Sequence, residues 1–164
     1  MITDPMVRLP ELPETRPTIV RGSAVPSPGR VLRAIPPQFV VPVELLDPNT
    51  SFEWRVFVNY DPIARKEAVL GDRSDPPVGA LDGGVNTVRL VQFSIQPPLA
   101  DVSLRECYVI EFMVARSFRG TSAHTPDPTG GDTVTWFYNP AGTFEGCPTW
   151  EGESDAGGDS GRDV

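Results

Sequence analysis

The chain has 164 residues, 39% of them apolar, and 22 acidic against 14 basic side chains give a net charge of −8. That is enough apolar material for one packed domain, which excludes a wholly disordered chain, and the acidity argues against nucleic acid as a partner. Nineteen prolines and fifteen glycines exclude a helical bundle, because proline removes a backbone donor and both residues break long helices.

Residues 1–17 carry Pro5, Pro10, Pro13 and Pro17 among mixed charges with no periodicity, the pattern of a disordered proline-rich leader. Weak strand patterns follow at Thr18–Arg21 and Arg30–Ile35. From Gln38 the apolar residues adopt the two-residue period of strands. Phe39, Val41, Val43 and Leu45 share one face. Phe52, Trp54, Val56, Val58 and Tyr60 share another, with Glu53, Arg55 and Asn59 opposite. Asp47-Pro48-Asn49-Thr50 between them has turn chemistry, so a hairpin over 38–60 is predicted. Pro42 cannot donate to a ladder and places its strand at an edge or a bulge.

After the turn at Asp82-Gly83-Gly84 the alternation changes phase. Val88 and Leu90 lie on one face and Val91, Phe93 and Ile95 on the other, which predicts either a bulge near Leu90-Val91 or a strand buried on both faces. A short helix fits 99–106. Tyr108, Ile110, Phe112 and Val114 alternate again, and Val134, Trp136 and Tyr138 share a face of the last strand before Asn139-Pro140. Seven or so short strands between proline and glycine turns predict an all-β fold, an immunoglobulin-like antiparallel β-sandwich over residues 18–150. The final segment 151–164, EGESDAGGDSGRDV, holds five acids and one arginine and reads as a disordered acidic tail that keeps the chain soluble, with binding to a basic partner as the alternative.

The longest apolar runs are far shorter than the roughly 18 residues of a spanning helix. The first residues carry acids and prolines where a secretory signal would be apolar. The two cysteines, Cys107 and Cys147, argue for an oxidising compartment instead, because an even count is compatible with one disulfide. Such a bond would staple the segment after the last strand to the strand that begins at Cys107. Thirteen of the fourteen basic residues are arginine, a mark of genome composition more than of function.

No nucleophile elbow, phosphate-binding glycine loop, dinucleotide fingerprint or His-Glu-x-x-His occurs. His124 is the sole histidine, so a multi-histidine metal site is excluded, and no CxxC pair supports zinc. The most distinctive stretch is Ala123-His124-Thr125-Pro126-Asp127-Pro128-Thr129-Gly130-Gly131-Asp132. Asp127 and Asp132 with backbone carbonyls form a candidate calcium site, although two carboxylates are few for a cation that takes six to eight oxygens. His124 is a candidate for ligand contact. The plainer reading is that these side chains cap the backbone of a proline-rigid loop. Glu111 falls on the face opposite its strand's apolar set, with Arg55 or Arg116 as available partners. Phe57, Phe137 and Trp150 are aromatics outside the main pattern; they either stack on a sugar ring or cover the second face under loop 119–131.

The runs FVVPVELLDPNTSFEWRVFVNYDP, CYVIEFMVARSF and HTPDPTGGDTVTWFYNPAGTFEGC resemble a set of uncharacterised bacterial proteins, many of them predicted lipoproteins, over residues 16–148. The resemblance implies a lipid-anchored position at the cell envelope, with a signal and an anchoring cysteine ahead of a proline-rich leader. It brings no activity, so no catalytic residue is carried over. The expectation is a non-enzymatic, extracytoplasmic module without a cofactor, in the periplasm or cell envelope, that contacts a protein or envelope component. The alternative is a glycan- or small-ligand-binding module, calcium-dependent or not, that uses His124, Asp127, Asp132 and Trp150.

Overall fold

A computed structural model of the chain describes residues 16–47, 49–59, 63, 67–76, 87–96, 107–120 and 123–147. Seven strands run through them: β1 (Thr18–Ile19), β2 (Phe39–Glu44), β3 (Phe52–Val58), β4 (Leu70–Ser74), β5 (Val88–Phe93), β6 (Tyr108–Ala115) and β7 (Gly131–Tyr138). They form two antiparallel sheets, one in the order β1-β2-β5 and one in the order β4-β3-β6-β7. In immunoglobulin lettering β1, β2 and β5 take the A, B and E places, and β3, β6 and β7 take C, F and G with β4 as C′. The all-β sandwich expected from the alternation is the fold the chain adopts.

The alternation decides which side chains face the interior. Phe39, Val41 and Val43 of β2 and Val91 and Phe93 of β5 meet Phe52 and Val56 of β3, Ile110, Phe112 and Val114 of β6, and Val134 and Trp136 of β7. Trp136 is fully buried, and its indole Nε1–H donates to the Pro26 carbonyl at 2.7 Å. Trp54 also faces inward, half-buried, with its ring 5.9 Å from those of Phe93 and Phe112. The tryptophan at the heart of the core is therefore Trp136 and not Trp54.

Three expectations are corrected. The stretch 38–60 is not a hairpin. β2 and β3 lie in different sheets, and the turn between them carries the chain across the sandwich. The turn chemistry itself holds: Asn49 N donates to Asp47 Oδ1 at 2.9 Å, and Thr50 Oγ1 donates to the Asp47 carbonyl at 2.8 Å. Alternation marks an inward face but does not say from which side of the core that face looks. The bulge at Leu90-Val91 is also absent, because β2 and β5 pair without interruption from Phe39↔Phe93 to Glu44↔Val88. Leu90 faces out and is 61% exposed, while Val91 and Phe93 face in. Arg30–Ile35 is not a strand; within it Leu32 alone makes a bridge, parallel to Tyr138 of β7. The predicted helix at 99–106 and the tail 151–164 lie outside the described residues. Of the leader, Arg16 and Pro17 are described, and Pro17 is buried.

Pro42 accounts for the path of the first segment. Ile19 pairs with Val43, so Val20 stands next in line beside Pro42. Val20 N donates to the Pro42 carbonyl at 2.9 Å, and Pro42 has no N–H to return. The chain leaves the ladder there in a 3-10 turn, Arg21–Ser23, and touches β2 again only at Val25↔Val40. It then crosses to the other sheet. Leu32 N donates to the Phe137 carbonyl at 2.8 Å, and Asn139 N donates to the Leu32 carbonyl at 2.9 Å. Pro42 thus sits inside its sheet, at the point where its neighbour detours.

β4 forms an edge of the four-stranded sheet, and Gly71, Asp72 and Arg73 are exposed along it. Cys107, just before β6, is bonded to Cys147 beyond β7, with Cα atoms 4.8 Å apart and a sequence separation of 40. A loop of that length contributes roughly 4 kcal/mol through the chain entropy it removes from the unfolded state.

Trp136→Ala is expected to cost about 3–5 kcal/mol, through lost burial plus a cavity. The half-buried Trp54→Ala should cost less. Urea unfolding of both variants checks the order; an equal or smaller loss at Trp136 would contradict its central place.

Candidate functional site

The loop between β6 and β7 continues their hairpin as a narrow ribbon. Phe118 bridges Pro126, Arg119 N donates to the Thr125 carbonyl at 2.9 Å, and Asp127 N donates to the Ser117 carbonyl at 2.8 Å. Ser117 Oγ donates in turn to the Asp127 carbonyl. The ribbon lies against the outer face of the four-stranded sheet. There Phe118 joins Phe57, Met113 and Ala115 in a second buried cluster, with Ala68 packed beside it. Phe57 therefore covers the second face of its sheet under the loop, as the plainer sequence reading has it.

His124 sits on this face. Its ring meets Phe57 edge-on at 4.6 Å, and Nε2 lies 2.8 Å from Glu111 Oε2, with both side chains half-buried. The partner of Glu111 is thus neither Arg55 nor Arg116 but the histidine of the ribbon. Arg55 bonds Glu53 Oε2 at 3.1 Å and the Trp54 carbonyl at 2.9 Å, with its guanidinium 4.9 Å above the Phe118 ring. Its Nε has no hydrogen-bond partner among the described residues. Arg55 can lie flat because Gly71 is its cross-strand neighbour; a Cβ there would stand 2.6 Å from Arg55 Cδ.

The two aspartates go elsewhere. Asp127 is exposed on the ribbon, 3.7 Å from Arg119 Nε. Asp132 shares the inward parity of Val134 and Trp136, so it points to the opposite side of the sheet from His124. There its Oδ2 accepts from Ile19 N at 2.7 Å and from Arg21 Nη1 at 3.3 Å. Its Oδ1 pairs with Arg21 Nη2, which also donates to the Thr133 carbonyl at 2.8 Å. Asp132 thereby ties β1 of one sheet to β7 of the other. Trp150 lies outside the described residues. Among the described residues no group of three or more His, Cys, Asp or Glu is placed to hold a metal ion.

The sequence reading missed two participants. Glu53 and Arg55 form a pair on one strand, and Gly71 makes room for it; neither is visible without the β3–β4 register. Aromatic Phe137 finds Phe144, 5.8 Å away and edge-on, in the turn after β7. Chemically, the ribbon face offers a histidine–carboxylate pair and a stacked arginine, each held by a structural partner. No family model, curated protein or solved structure matches the chain.

Asp132→Ala should leave the Ile19 amide without its acceptor and cost about 1–3 kcal/mol, with faster hydrogen exchange at Ile19. Asp127→Ala, on the exposed ribbon, should stay within about 0.5 kcal/mol. Thermal unfolding and amide exchange of both variants test this; a silent Asp132→Ala would remove its role at the seam.

Proposed function

We propose that this chain is a non-enzymatic, extracytoplasmic β-sandwich module of the periplasm or cell envelope, with a structural or protein-contact role. The observation that carries the reading is the Cys107–Cys147 bond. Disulfides of this kind persist where the compartment is oxidising and are rare where thiols are kept reduced. The bond ties a strand of the core to the segment after the last strand, the way small exported domains supplement their cores.

The titratable groups support a non-catalytic role. Asp132 holds the seam between the sheets, Glu111 and His124 hold the ribbon, and Glu53 holds Arg55. Each of these groups has a structural partner, which supports a role in holding the fold. The alternative, glycan or small-ligand binding through His124, Asp127 and Asp132, has less to stand on, because His124 and Asp132 lie on opposite faces of one sheet. Attachment to a membrane by a lipid remains part of the proposal through the family resemblance alone.

Protein isolated from its native host and denatured without reductant should show no free thiol to a thiol-reactive reagent. Two reactive thiols per chain would overturn the extracytoplasmic placement. Turnover on a broad panel of hydrolase substrates would overturn the non-enzymatic part separately.

A further inference from the structure

Four arginines and no carboxylate occur between residues 16 and 43, although the whole chain carries a net charge of −8. This is the segment that crosses from β2 to the edge of β7. Arg21 is paired with Asp132. Arg30 and Arg33 flank Leu32, whose bridge to Tyr138 fixes them at one end of the sandwich. Both are exposed, and neither makes a salt bridge or side-chain hydrogen bond among the described residues. The Arg33 side chain lies directly over Gly142, where φ is +73° and a Cβ would collide with it. Glu145 of the same turn is not paired with either arginine.

The same end of the molecule roots the C-terminal segment. Tyr108 pairs with Tyr138 in the ladder, Cys107 precedes Tyr108, and Cys107 holds Cys147. Asn139 fastens the intervening turn, donating from Nδ2 to the carbonyls of Thr143 at 3.0 Å and Glu145 at 3.1 Å. Cys147, the last described residue, thus lies at the end of the sandwich that carries Arg30 and Arg33. Glu151, Glu153 and Asp155 are the first carboxylates of the tail 151–164. Four residues of extended chain, from Cys147 to Glu151, span at most about 14 Å.

We infer that the acidic tail 151–164 docks on Arg30 and Arg33 and screens this basic strip from other anions. Charge complementarity is the first argument. The second is tethering: a short linker holds the tail at an effective concentration on the order of millimolar, so weak exposed pairs suffice to populate contact. The disulfide keeps that tether short. Such pairing is electrostatic and yields to salt.

The test uses the full, oxidised chain and a variant with Glu151→Gln, Glu153→Gln and Asp155→Asn. In ¹⁵N-resolved NMR at about 0.01 M salt, where the screening length is about 30 Å, the Arg30 and Arg33 Nε–H signals and the Val31–Ala34 amides should differ between the two proteins. At about 1 M salt, where that length is about 3 Å, they should coincide. Signals that coincide already at low salt overturn the inference. Retention on immobilised polyphosphate gives a second readout. Neutralising the tail should raise the eluting salt concentration in the native background, and by less than half as much when Arg30→Gln and Arg33→Gln are also present. Equal increments in both backgrounds overturn it. Low-salt signals that ignore the tail but move on adding polyphosphate also overturn it, and assign the strip to an external polyanion.

Discussion

Phe93 reaches from β5 into the space between the sheets and meets rings from both layers. It lies parallel to Phe39 on its own sheet at 4.9 Å, and on the opposite sheet it stands 5.4 Å from Phe112, 5.9 Å from Trp54 and 6.4 Å from Trp136. Stacked and edge-on rings carry large apolar area at defined geometry. A slip of β5 by one residue would turn Phe93 to solvent and break every one of these contacts, so the ring fixes the register of its strand. The rest of β5 follows from that choice. Leu90 must face out, and Arg89 must face in at the open end. The guanidinium there donates to the carbonyls of Thr50 at 2.7 Å and Ser74 at 3.1 Å and lies over the Phe52 ring. Burial pushes the Arg89 guanidinium below its ordinary value while Asp75 and Asp47 push it back up. It remains a cation at neutral pH, and it ties the two sheets together at that end.

The sides of the sandwich need a different solution, because two stacked sheets leave unpaired strand edges. The first segment supplies it on one side by serving both layers in turn. It pairs with β2, loses the ladder at Pro42, and reappears on β7 at Leu32. Ile19 and Asp132 join the layers near one end of this path, and Leu32 and Tyr138 join them near the other. An aspartate in an inward position of β7 looks like an error in a hydrophobic pattern. It is tolerated because a backbone donor and an arginine meet it there.

Much of this was legible in the chain itself. Five of the seven strands stood out because large apolar residues recur every second position, as in Phe52 to Val58 or Tyr108 to Val114. The sulfur pair was readable from its even count. β4 was not, because Leu-Gly-Asp-Arg-Ser has no alternation; its strand exists through pairing with β3 and leaves Gly71 bare so that Arg55 can lie down. The hairpin error at 38–60 has a related origin, since sequence proximity is a guide to pairing and not a rule. At the candidate site the ribbon could be recognised as distinctive, but not the faces its residues would take. His124 and Asp132 are eight positions apart and end on opposite sides of one sheet, because the parity of β7 begins only at Gly131.

The exposed margin of β4 also bears on how copies of this molecule meet. Two copies approaching edge to edge would extend the sheet by antiparallel pairing about a two-fold axis. Centred on Asp72, that axis sets carboxylate against carboxylate; centred on Arg73, it sets guanidinium against guanidinium. Like charges directly opposite each other repel. Two of the registers open to this margin thus meet like charges at their centre, and two side chains on the strand itself disfavour edge-to-edge pairing there.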